Sequence, residues 1–167
     1  AYAADIPHED VLPLIQEAID GKVIRASNAP GTYKFAHALL RDALYQRLST
    51  IRRCRLHERI ARWLVNLNSN EQDAHLSSIS HHFYEAASLG LIDEAVKFAR
   101  RAGDSASCRL AYEDAASHYA RALELLDLSP SDSELDRCDL LRMLGTQLTK
   151  SGNREAAKQV FNRLATL

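Results

Sequence analysis

The sequence predicts a mainly α-helical chain with one short β-hairpin near its start, followed by helices stacked in pairs. Three observations predict it. Ala, Leu, Arg and Glu are abundant while the 167 residues hold only six Gly and four Pro, so helix formers are rarely interrupted. Apolar residues recur at i, i+3/i+4 and i+7 over much of the length, the period of an amphipathic helix. Two short strand-like runs, Val23-Ile24-Arg25-Ala26 and Thr32-Tyr33-Lys34-Phe35, flank the turn residues Ser27-Asn28-Ala29-Pro30-Gly31.

The first helix is expected from about His8 to Asp20. Pro7 suits its start, and Glu9 and Asp10 face the positive end of the helix dipole. Val11, Leu12, Ile15, Ala18 and Ile19 form its apolar stripe. Pro13 belongs in a first turn, which argues for a later start, and Gly21 reads as the stop. After the hairpin, helices are expected over about 37–48 and 51–67, the second with Leu56, Ile60, Trp63, Leu64 and Leu67 on one side. The polar stretch from Asn66 to Asp73 reads as a loop. Helices then follow over about 74–89, 92–110, 112–126, 134–151 and 154–167, broken at Gly90, at Ser129-Pro130-Ser131-Asp132 and at Gly152-Asn153.

Charge and cysteine content bound the function. Twenty-one basic against twenty-two acidic residues give a net charge of −1, so no general attraction to nucleic acid or membrane is expected. Cys54, Cys108 and Cys138 are far apart, without CxxC spacing, and read as buried or half-buried free thiols in a reducing compartment. With no signal-peptide pattern and no apolar run near 18 residues, a cytoplasmic location is expected. The chain starts in mid-pattern without Met, as a piece of a longer protein or a processed N-terminus would.

The paired helices invite a search for a repeat. Leu141, Leu144, Gly145, Leu148, Gly152, Ala157, Phe161 and Leu164 fall at the spacings of a tetratricopeptide repeat. Gly145 and Ala157 would let two helix backbones approach, and Phe161 would fill the gap to a neighbouring pair. The segments 91–99 and 111–119 both resemble the second helix of such a repeat, each with an acidic pair followed by Ala. Ala95 and Ala115 stand 20 residues apart rather than the roughly 34 of a regular array. Either the repeat is degenerate or one helix serves in two pairings. Such pairs bury their apolar faces only by stacking, so further repeats are expected beyond the last one.

Helix, hairpin, helix is the outline of the latter part of a winged helix. Residues 33–45, Tyr33-Lys34-Phe35-Ala36-His37-Ala38-Leu39-Leu40-Arg41-Asp42-Ala43-Leu44-Tyr45, followed by 52–61, Arg52-Arg53-Cys54-Arg55-Leu56-His57-Glu58-Arg59-Ile60-Ala61, resemble the end of the nucleotide-switch module of STAND-class ATPases. These regulators include LuxR-type and MalT-like activators and cyclase-linked sensors. The resemblance implies a partial winged helix with linker helix over 1–67 and tetratricopeptide-like repeats over 74–167. It also implies an upstream nucleotide-binding domain in the same chain, ATP or ADP as the parent's cofactor, and a partner or inducer on the array. In the family a histidine at the start of the last winged-helix helix approaches the β-phosphate of ADP, and only His37 maps onto it. The triplet here is Ala36-His37-Ala38, where the family's best-known form reads Met-His-Asp. From the residues alone, His37 also reads as a helix cap or a core histidine.

No GxxxxGK[ST] segment occurs, so the chain by itself is expected not to hydrolyse ATP and to bind no cofactor. His75, His81 and His82 cluster near Glu85. His81 and Glu85 share a helix face, but HxxxE is a weak signal, and surface histidines without a metal are expected. Ser77, Ser78 and Ser80 have no GxSxG setting, and His57 beside Asp42 or Glu58 lacks a nucleophile and an oxyanion hole. Arg41, Arg47, Arg52, Arg53, Arg55, Arg59 and Arg62 crowd 22 residues, yet a solvated or interdomain face is expected over DNA binding. Tyr112, His118 and Tyr119 are read as core, or else as groove positions. The resulting expectation is a non-catalytic regulatory and interaction module. The alternatives are a stand-alone peptide-binding repeat scaffold and a DNA-binding winged-helix regulator.

Overall fold

A computed structural model of the chain describes residues 6–29, 31–67, 69–128 and 134–167. The expected break at Ser129-Pro130-Ser131-Asp132 lies outside them. The fold is mainly helical, with one two-stranded hairpin leading into a helical array. The elements are α1 (His8–Asp20), β1 (Ile24–Ala26), β2 (Tyr33–Phe35), α2 (Ala38–Arg47), α3 (Thr50–Val65), α4 (Ser69–Ala74), α5 (Leu76–Ala86), a 3₁₀ turn (Ala87–Leu89), α6 (Ile92–Cys108), α7 (Tyr112–Asp127), α8 (Glu134–Lys150) and α9 (Arg154–Ala165). No helix among the described residues is long and apolar enough to cross a membrane.

α1 starts at His8 and carries Pro13 in its interior, so the later start argued from Pro13 is not adopted. Leu12, placed on its apolar stripe, is 69 % exposed. Gly21 is the residue at which α1 stops, as expected, although the left-handed turn is made one residue later. Gly21 keeps φ at −72°, and the left-handed conformation falls on Lys22, with the Val23 amide donating to the Ala18 carbonyl at 2.9 Å. The hairpin is antiparallel, pairing Ile24 with Phe35, Arg25 with Lys34 and Ala26 with Tyr33. None of the described residues before Cys54 is buried.

From α3 onward the chain has a continuous core. Ser49 caps α3 by accepting from the Arg52 amide. The buried stripe of α3 is Cys54, His57, Ala61 and Leu64. The stripe expected from Leu56 to Leu67 is rotated from this, and Trp63 is 47 % exposed. The difference arises because α3 packs on α5, and the small Ala61 with Leu64 fits that contact better than an indole. Part of the expected loop is the short helix α4, which is tied back where the Gln72 side-chain amide donates to the Val65 carbonyl at 2.7 Å.

Behind α3 each helix packs on the next: α5 on α6, α6 on α7, α7 on α8 and α8 on α9. Two core clusters result. One joins Ala61 and Leu64 to Ile79, Phe83, Ala95 and Phe98; the other joins Ala99 and Ala106 to Tyr119, Leu123, Leu140 and Leu141. α6 touches both α5 and α7, so one helix does serve in two pairings. It is, however, the first helix of its closest pair and not the second: Gly103 of α6 is the notch into which Tyr119 of α7 packs. An added Cβ at Gly103 would lie 2.5 Å from the Tyr119 ring. Gly145 of α8 and Phe161 of α9 repeat the arrangement, with the ring 2.7 Å from such a Cβ. Phe161 therefore fills a notch inside its own pair. Gly152 turns α8 into α9 with φ of 85°, where the Asn153 amide donates to the Leu148 carbonyl. The α6–α7 turn closes the same bond, Ala111 amide to Ala106 carbonyl, but with Leu110 in the left-handed position. Cys108, at the end of α6, is exposed, contrary to expectation, while Cys54 is buried and Cys138 partly so.

Candidate functional site

Side chains from three helices converge where the hairpin segment meets the array. His57 lies on the buried stripe of α3, so its ring enters the α3–α5 contact and is 9 % exposed. His82 sits on α5 beside Phe83, whose ring stacks on Phe98 at 5.1 Å and holds this turn of the helix in place. His57 Nδ1 and His82 Nδ1 are 2.8 Å apart. On its far side, His57 Nε2 meets the Tyr45 hydroxyl of α2 at 2.9 Å. The exposed His81 completes the group, its ring centroid 5.6 Å from that of His57 and edge-on to it. Arg53 covers the Tyr45 ring at 5.3 Å.

Burial pushes His82 down to about 4, with the neighbouring His57 and His81 adding to the shift. Burial also lowers His57, against the opposing field of Glu85. Both rings are therefore neutral near pH 7. Two neutral imidazoles in contact need one N–H and one lone pair between them, which a 2.8 Å Nδ1···Nδ1 separation provides. Tyr45, His57 and His82 form a hydrogen-bonded chain that can run in either direction, because the phenol both donates and accepts.

The expected histidine cluster is thus re-formed. His81 and His82 belong to it, His75 does not join it, and His57 enters from 25 residues away. Sequence reading set His57 beside Asp42 or Glu58 and not with His81 and His82, because its partners are tertiary. The available signal was a polar residue at i−4 from Ala61 on an apolar stripe. His37 is exposed and stands at the junction of β2 and α2, as the N-cap residue of α2, with no side-chain capping bond. His118 and Tyr119 are buried, consistent with core roles. His118 Nε2 meets Ser77 Oγ at 2.8 Å and joins α7 to α5, while its other ring nitrogen faces Ser80 and not a carboxylate. That arrangement lacks the carboxylate hydrogen bond that orients a catalytic histidine. Among the arginines, Arg41 pairs with Asp42 at 2.7 Å and Arg62 with Glu58 at 2.9 Å. Between α6 and α8 a groove of about 550 Å³ is lined by Lys97, Arg100, Arg101, Asp104, Asp136 and Leu140.

No family model, curated protein or solved structure matches this chain.

Proposed function

We propose that the chain is a non-catalytic regulatory and protein-interaction module of a STAND-type signal-transduction ATPase, acting in the cytoplasm as part of a transcriptional regulator or cyclase-linked sensor. The observation that carries this reading is the abrupt onset of burial. Residues 6–53 form helix, hairpin and helix without one buried residue among those described, while a continuous core begins at Cys54. Tyr33, Phe35, Leu39 and Leu44 all remain exposed there. An apolar surface of this kind marks a face meant for a packing partner. The sequence resemblance supplies one: the nucleotide-binding domain of the same chain. His37, exposed beside the first turn of α2, is then available to the β-phosphate of ADP. The array behind it would offer the α6–α8 groove to a protein or inducer.

The test is made on the longer protein that the reading requires. A Walker A segment encoded upstream, together with weaker ADP retention in His37→Ala, supports it. Absence of that segment refutes the class, and unchanged ADP affinity removes His37 from the site. The second reading, a stand-alone peptide-binding scaffold, rests on the same groove. It predicts that peptide binding survives deletion of residues 1–48.

A further inference from the structure

We propose that His57, His81 and His82 form a binding site for a transition-metal dication of the zinc class, clamping α3 to α5 at the junction with the hairpin segment. Each histidine offers one ligand nitrogen, and these three atoms all lie within 4.8 Å of one another. A tetrahedral site with metal–nitrogen bonds of about 2.0–2.1 Å holds its ligand nitrogens ~3.3 Å apart. The 2.8 Å separation of the His57 and His82 Nδ1 atoms brackets that value from below and the 4.8 Å limit from above.

The surroundings suit a metal. Three imidazoles select zinc, copper, nickel or cobalt over magnesium or calcium, which prefer oxygen. With His57 Nδ1 on the metal, its Nε2–H donates to the Tyr45 hydroxyl already at 2.9 Å. This is the outer-shell bond that fixes a metal-binding histidine in the right tautomer. Glu85, one turn beyond His81, is the acidic side chain whose field reaches His57, and it brings negative charge to offset the dication. The exposed His81 leaves a path for entry and the fourth position for water or that carboxylate. The site draws on α2, α3 and α5 together, so occupancy would stiffen the connection between hairpin segment and array. The inference is independent of the regulatory reading above.

Cobalt titration of the metal-free chain tests it, followed by displacement with zinc. One equivalent should give the visible absorption of a tetrahedral or five-coordinate nitrogen site. His81→Ala, which alters an exposed side chain, should abolish that spectrum. Tyr45→Phe should retain it with affinity lowered about 10–100-fold, the usual cost of an outer-shell partner. His75→Ala should change nothing. Circular dichroism on every variant confirms that the helices persist. A wild-type chain that binds no cobalt, or one whose binding is equal in His81→Ala and His75→Ala, overturns the proposal.

Discussion

Replacing Gly103 with alanine should destabilise the chain although alanine is the better helix former. The new Cβ would lie 2.5, 2.8 and 2.9 Å from three carbons of the Tyr119 ring. Ordinary contact begins near 3.4 Å, so the ring must retreat by about 1 Å. The ring is constrained: Tyr119 is 1 % exposed and its hydroxyl donates to Asp104 at 2.8 Å. Overpacking of this kind costs about 1–3 kcal/mol, and loss of the hydroxyl bond about 1 kcal/mol more. Helix propensity returns about 1 kcal/mol. The net loss is about 1–3 kcal/mol, or roughly 2–12 °C in melting temperature for a chain of this size. Gly145→Ala is the internal control. Its Cβ would crowd Phe161 equally, at 2.7 Å, but that ring is 39 % exposed and can swing outward. Its change should stay within about 0.5 kcal/mol of zero, because ring displacement and helix propensity offset. Urea unfolding followed by far-UV circular dichroism separates the two. Tyr119→Leu in the Gly103→Ala background should recover part of the loss, as expected for residues in direct contact. If Gly103→Ala is as stable as the wild type, the notch is not the reason for glycine there.

Leu110→Gly should stabilise by up to about 1 kcal/mol, since Leu110 has φ of 62° while its side chain is 69 % exposed; the thermal melt reads it directly. In the presence of chelator, stability should rise with pH up to the ordinary histidine value near 6.5 and level off above it. The sign follows because burial lowers His57, His82 and His118 in the folded chain, so below 6.5 the unfolded chain binds more protons. For His82, the displacement from 6.5 to about 4 is worth at most about 3 kcal/mol, and solvent screening at a partly exposed ring reduces this to about 1–2 kcal/mol. Urea midpoints at acid and neutral pH measure it, and a flat profile would contradict the burial argument. Asp127→Asn should cost under about 1 kcal/mol and less at high salt, because Asp127 ties Arg137 and Arg163 to the end of α7 from an exposed position.

The helices of the array were legible because their signals are local. Gly90 and Gly152 end elements with positive φ, and Asn153 caps α9 by accepting from the Ala156 amide, all at positions that composition marks. The hairpin was equally plain from its turn residues. Pair assignment was harder. Matching Ala95 to Ala115 put α6 in the wrong half of its pair, because an acidic pair followed by Ala starts both α6 and α7. The discriminating pattern is Gly103, Ala115 and Tyr119 against Gly145, Ala157 and Phe161, the same intervals offset by 42 residues. Gly103 was invisible without it, since a lone glycine in a helix looks like a defect until its tyrosine is known. The rotated stripe of α3 and the entry of His57 into the histidine cluster were illegible for another reason. Both depend on which helix α3 meets, and no local period encodes that.

That α3 meets α5 has a consequence for how the two parts of the chain communicate. α3 carries Ala61 and Leu64 in the array's first core cluster, so it moves with the array. α2 is tied to α3 through Tyr45, whose hydroxyl meets His57 and whose ring lies under Arg53. His57 in turn is bonded to His82 of α5. Any displacement of α2, and with it of His37 at its start, therefore acts on a hydrogen-bonded chain that ends inside the array. A purely apolar contact would slide under such a displacement, because dispersion is non-directional. A chain of directional bonds through two neutral imidazoles either keeps its geometry or breaks. A junction built this way favours discrete arrangements over graded ones.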